Sequence, residues 1–197
     1  MRKQWVVKYQ VSPGVPDGVP VWMKKDVAAI LAKQMVSSSE AKTYRADQKI
    51  TRAEFASLLV HALGLNLDSG ALTFTDVGAN HLSSREIEAA VEHGLIKGRT
   101  SDIFDPSALI TRQEMAVMMD NAVYFAGKRP GSDASMLAGF KDQSEVSVFA
   151  RQSVARLLEL QIINGVSATS LAPKSHATKA QAAVVVMRML RVLELSK

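Results

Sequence analysis

The sequence is 197 residues long and 47% hydrophobic, with a formal charge of +5 and an isoelectric point near 9.5. That length supports one large or two small domains with a real core, and the basic balance favours an acidic partner such as nucleic acid, anionic polymer or membrane headgroups. The absence of cysteine excludes disulfides, thiolate metal sites and cysteine nucleophiles, and no stretch approaches the ~20 apolar residues of a membrane span.

Residues 4–11 alternate, with Trp5, Val7, Tyr9 and Val11 opposed to Gln4, Val6, Lys8 and Gln10, which predicts one short strand. In an otherwise helical chain such a strand is either the end of a preceding domain or an edge added to a short strand elsewhere. The first eight residues are basic but contain no apolar run of signal-peptide length, so an exported protein would carry its signal upstream of residue 1. Residues 12–20, with three prolines and two glycines, read as a linker.

From Trp22 a pattern begins that occurs three times. Val27, Ile30, Leu31 and Met35 fall at helical spacing, as do Ile87, Ala90, Val91 and Leu95, and then Val154, Leu157, Leu158 and Ile162. A polar turn follows each: Ser37-Ser38-Ser39, Lys97-Gly98-Arg99 and Asn164-Gly165. Next comes a short extended piece centred on Tyr44, Phe104 or Leu171.

Each copy then reaches a capping-box signature, Thr51-x-x-Glu54, Thr111-x-x-Glu114 or Thr178-x-x-Gln181, which predicts the start of a second helix. The second helices carry apolar stripes at i, i+3, i+4, i+7 and i+8: Phe55, Leu58, Leu59, Ala62 and Leu63; Met115, Met118, Met119, Ala122 and Val123; Ala182, Val185, Val186, Met189 and Leu190. Three matching stripes most simply bury one another, so the expected fold is mainly α, a pseudo-threefold helical module around a central three-helix bundle with short extended segments. The expected divisions are 1–19 for the strand-like segment and linker, then units at 20–66, 67–129 and 130–197, the last including its preceding linker. Phe74-Thr75-Asp76-Val77 and Phe140-Lys141-Asp142-Gln143 open the second and third units. The first lacks this opening unless Asp17 stands in for its acid.

Arg52, Arg112 and Lys179 sit just inside these helix N-termini, where the helix dipole disfavours a cation by about 0.3–1 kcal/mol. Two readings stay open for this recurring misfit: a solvated surface charge, or a cation that joins free backbone N–H groups to make an anion site. Glu54 and Glu114 are accounted for by capping their own helices. Asp76 and Asp142 either fix the loop before the first helix or touch ligand. His61, His81, His93 and His176 have no metal-ligand spacing, and neither a phosphate-binding glycine loop nor a nucleophile triad is present. No enzyme and no cofactor are expected.

Phe74-x-Asp76-Val77, Gly94-Leu95-Ile96-x-Gly98, Phe104-x-Pro106 and Ile110-Thr111-Arg112-x-Glu114, in that order, resemble an S-layer homology motif. The resemblance covers about residues 20–195 as three consecutive motifs. It implies a non-catalytic carbohydrate-binding anchor for an S-layer or other surface protein. The implied partner is the anionic, pyruvylated secondary cell-wall polysaccharide of Gram-positive bacteria, bound in grooves between motifs. It further implies a secreted, cell-surface location and N-terminal linkage to another domain, with no nucleic acid and no membrane span. Carried over residue by residue, the basic contacts are Arg52, Arg112 and Lys179, the aromatics are Trp22 and Phe149, and the groove-lining loops bear Asp76, Asp142, Gly98 and Gly165.

A guanidinium can clamp a planar carboxylate with two parallel hydrogen bonds where an ammonium is a point charge, so Arg should outperform Lys. Trp22 either stacks on a sugar face or packs as a first-turn core residue. The family's aromatic is Leu82 in the second unit, its turn glycine is Ser38 in the first, and the third signature carries Lys179 and Gln181. Unequal grooves are therefore expected, strongest around Arg52 or Arg112 and degraded at Lys179. The alternative from composition alone is a basic helical adaptor or nucleic-acid-binding module.

Overall fold

In the computed structural model the described residues are 15, 19–36, 44–67, 74–128, 131 and 133–195. They are mainly helical: α1 (Val21–Ala32), α2 (Arg52–Leu63), α3 (Ser84–Glu92), α4 (Arg112–Phe125), α5 (Val148–Glu159) and α6 (Lys179–Val192), with 3₁₀ turns at Ala134–Leu137 and Gln143–Glu145. Among them only isolated β-bridges occur, and no helix is long and apolar enough to cross a membrane. The expected strand at 4–11, Asp17 and the Ser37-Ser38-Ser39 turn lie outside the described residues.

All three capping boxes form. The hydroxyls of Thr51, Thr111 and Thr178 accept from the backbone N–H of Glu54, Glu114 and Gln181, whose side chains accept in return from the threonine N–H at 2.9, 2.8 and 3.1 Å. Gln181 replaces the charge and keeps the geometry, so α6 starts as its two counterparts do.

The first two N–H groups of each helix are satisfied by the next unit. Arg52 and Ala53 donate to the carbonyls of Ala108 and Pro106, Arg112 and Gln113 to those of Ser175 and Pro173, and Lys179 and Ala180 to those of Gln48 and Ala46. One step earlier, Ile110 donates to Ile50, Ala177 to Ile110 and Ile50 to Ala177, each at 3.1 Å, which closes a ring of three hydrogen bonds. The ring is dry, since Ile50, Ile110 and Ala177 are buried. This corrects the expectation of free N–H groups: the first three at each of these termini are spent within the protein, and any anion site must be built from side chains.

Helices α2, α4 and α6 touch one another pairwise, and their fully buried Leu59, Met119 and Val186 lie in one core. Each packs outward on the first helix of the following unit: α2 on α3, α4 on α5, and α6 back on α1. The helical pairs therefore straddle the sequence repeats. A polar contact pins each pair: His61 to Glu86 at 3.4 Å, Arg156 to Asp120 at 2.9 Å, and Arg191 to Asp26.

The extended pieces that feed the ring are held from behind. Asp76 accepts from the N–H groups of Phe104 (2.9 Å) and Asp105 (2.7 Å), and Asp142 accepts from those of Leu171 (2.9 Å) and Ala172 (2.8 Å) and from the Ser170 hydroxyl (2.7 Å). Asp105 and Ala172 have φ of 64° and 49°, a left-handed conformation that side chains disfavour and that these carboxylates hold in place. Desolvation opposes ionisation of both acids, but the backbone donors outweigh it and depress both pKa values. A depressed carboxylate contributes stability that is present above its unfolded pKa of about 3.9 and is lost as pH falls through the folded pKa. Asp142→Asn should thus cost about 2–3 kcal/mol at neutral pH. Denaturant unfolding of variant and parent should converge as pH falls through the depressed folded pKa; a gap that persists at the acid limit would show that the charge is not what holds the loop.

Candidate ligand-binding grooves

Among the described residues, two open grooves lie where three units meet. The first, of about 330 Å³, is lined by Arg112 at the start of α4, Asn164 and Gly165 in the turn after α5, Val184, Val185 and Arg188 on α6, and Trp22 on α1. The second, of about 460 Å³, is lined by Arg52 at the start of α2, Lys97, Gly98 and Arg99 in the turn after α3, Met118 and Asn121 on α4, and Phe149 on α5. Trp22 and Phe149 are 64% and 62% exposed. That decides against the first-turn core role for Trp22. Phe149 is placed through Gln113, whose side chain donates to the Ser147 hydroxyl and accepts from the Ser147 N–H ahead of α5.

The misfit arginines are reconciled by carbonyls rather than by solvent. Arg112 Nε donates to Leu171 O at 2.9 Å and Nη2 to Asn164 O at 2.8 Å; Arg52 Nε donates to Phe104 O at 3.0 Å and Nη2 to Lys97 O at 3.1 Å. The Arg52 guanidinium also lies 4.8 Å from the Phe104 ring centroid. Each clamp uses one edge of the guanidinium and leaves Nη1 without a protein partner among the described residues. Burial lowers the pKa of both, and Arg99 adds to the effect on Arg52, yet a guanidinium stays charged under any ordinary condition.

The Lys179 position differs in kind. Its Nζ pairs with Glu54 Oε1 at 2.7 Å, and the described residues around it, including Tyr44, Ile50 and Leu58, enclose only about 20 Å³. The Tyr44 hydroxyl is buried there with no partner among the described residues, and burial followed by the Glu54 charge pushes its pKa up. Leu82 is fully exposed and stands apart from both open grooves.

Of the expected site residues, Arg112, Trp22 and Gly165 come together in one groove, and Arg52, Phe149 and Gly98 in the other. Asp76 and Asp142 line neither. The two glycines have a reason of their own: a Cβ at Gly98 would lie 2.3 Å from Thr100 O and 2.5 Å from the Phe74 ring, and one at Gly165 2.4 Å from Ser167 O and 2.6 Å from Ser170 O. Sequence reasoning missed Arg188, Asn121 and Arg99. Arg188 and Asn121 stand nine residues after the basic residue of their copies, where the first copy has His61, so a polar residue interrupting the second helix in every copy was the available signal. Arg99 pairs with the capping Glu114 and with Asp105 at 3.7 Å. Among the described residues no cluster of His, Asp and Glu is placed to hold a metal ion.

Residues 15–56, 73–116 and 139–183 match the family model for the S-layer homology domain. Over 169 residues, 86% of the chain, it is 27% identical to an endoglucanase of Bacillus sp. (strain KSM-635) and 28% identical to an amylopullulanase of Thermoanaerobacterium thermosulfurigenes. Over 162 residues, 82% of the chain, it is 28% identical to an S-layer protein of Bacillus thuringiensis subsp. finitimus. The chain spans only 18%, 9% and 19% of the length of these three relatives.

The crowding at Gly165 generates a test that separates fold from ligand contact. Gly165→Ala should lower stability by about 1–3 kcal/mol through overpacking, seen in thermal unfolding of the ligand-free protein. Unfolding identical to the parent would mean that the turn has room and that the glycine is not there for close packing.

Proposed function

The chain belongs to the S-layer homology domain family, and on that premise we propose that it is a non-catalytic anchor that holds a surface protein on the bacterial cell wall by binding secondary wall polysaccharide in the Arg112 and Arg52 grooves. The observation behind this reading is the pairing, twice over, of a carbonyl-clamped guanidinium with an exposed aromatic at the junction of three units. A ketal-linked pyruvate would present its carboxylate to the open edge of the guanidinium, and the apolar C–H face of the sugar would stack on Trp22 or Phe149. Because the arginine is already fixed by two carbonyls, little side-chain entropy is lost on binding. Lys179, tied to Glu54 in a nearly filled space, takes no part. The protein acts outside the cell, at the wall.

Sedimentation with purified wall sacculi tests this. Arg112→Lys and Arg52→Lys, which keep the charge and remove the fork, should each weaken binding about tenfold or more, while Lys179→Ala should shift it less than twofold. Chemical removal of the secondary polymer should abolish sedimentation. Undiminished binding to stripped walls would sink the proposal.

A further inference from the structure

We propose that the Arg112 groove contains a second anion subsite, formed by Arg188 with Asn164, and that it selects a glycan carrying two negative charges over one carrying a single charge. This rests on the reading of the groove as a glycan site and adds a specificity-determining residue to it.

Arg188 projects from α6 into the same cavity as Arg112 and Trp22 and is half-buried. Both guanidinium groups converge on Asn164. Arg112 Nη2 donates to its backbone carbonyl at 2.8 Å. With the side-chain amide turned to satisfy its surroundings, its nitrogen donates to Ile163 O at 2.7 Å and its oxygen accepts from Arg188 Nη1 at 3.2 Å. Two cations thus share one neutral residue on the groove wall.

No carboxylate pairs with them among the described residues. None of the residues lining this groove is acidic, and neither arginine has an ion-pair partner among the described residues; Asp142 acts on Arg112 electrostatically without an ion-pair contact. The difference from the other two positions traces to one residue. The capping Glu114 pairs with Arg99 beside the Arg52 groove, and the capping Glu54 pairs with Lys179. Here the capping residue is Gln181, which completes the box and supplies no charge. The loss of acid in the third copy, which reads as decay in the sequence, leaves this groove with two arginines and no acid in its lining.

The residues equivalent to Arg188 are committed elsewhere. Asn121 donates to Leu95 O at 3.0 Å, and His61 faces Glu86. An occupant with two anionic groups can meet one guanidinium with each, whereas a singly charged occupant leaves one of the two half-buried cations without a counter-charge.

The test uses two probes, the methyl glycoside of an amino sugar carrying a ketal-linked pyruvate and the same glycoside bearing an additional phosphate. Fluorescence of Trp22 in a Trp5→Phe background reports on this groove, because Trp22 lines only this one of the two open grooves. The parent should prefer the doubly charged probe. Arg188→Met should reduce that preference about tenfold, and Arg188→Lys should restore part of it. Arg112→Lys should weaken both probes while the preference survives. If Arg188→Met leaves the preference intact, or weakens both probes equally, the second subsite is overturned. If the parent binds neither probe, or Arg112→Lys changes neither, the glycan reading of the groove fails first.

Discussion

The structure depends on how three helix N-termini are satisfied. An isolated helix start leaves backbone donors that must find partners, and here each start hands two of them to the loop of the next unit and keeps the third for its own threonine. The Ile50–Ile110–Ala177 ring closes the cycle inside the core. No unit satisfies the first two donors of its own second helix. Folding is therefore a cooperative property of all three, and the grooves, which lie on the outer rim of these junctions, inherit their rigidity from it.

The same junction explains how a cation survives at a helix start. The dipole penalises it by a fraction of a kcal/mol, but two carbonyls of the neighbouring loop receive Nε and Nη2. The arginine acts as a bolt between units. Its far edge is then offered to the groove at a fixed angle, which a lysine held by an ion pair cannot do.

Much of this was legible in the residues. Capping boxes, apolar stripes and turns gave six helices near their observed positions, because each of these signals is local and the copies reinforce one another. Arg52 and Arg112 stood out for breaking a local rule. Other features depend on contacts distant in sequence. Nothing local says that the N–H groups beside Arg52 are occupied by Ala108 and Pro106, or that Asp76 faces a loop 28 residues away. Arg188 shows in the sequence only as a polar interruption of an apolar helix; that it shares a groove with Arg112, Asn164 and Trp22 depends on contacts distant in sequence.

The packing of α1 against α6, pinned by Asp26 and Arg191, has a topological consequence. Solenoid repeats stack in an open line, so their number can grow or shrink by one. Here the last helix docks on the first, and the three inner helices already touch pairwise. A fourth copy would have to break the circle or stand outside it. Closure of this kind leaves no free end on which a further copy could stack, so the sequence differences between copies, as at Gln181 and Arg188, sit at fixed places around one closed arrangement.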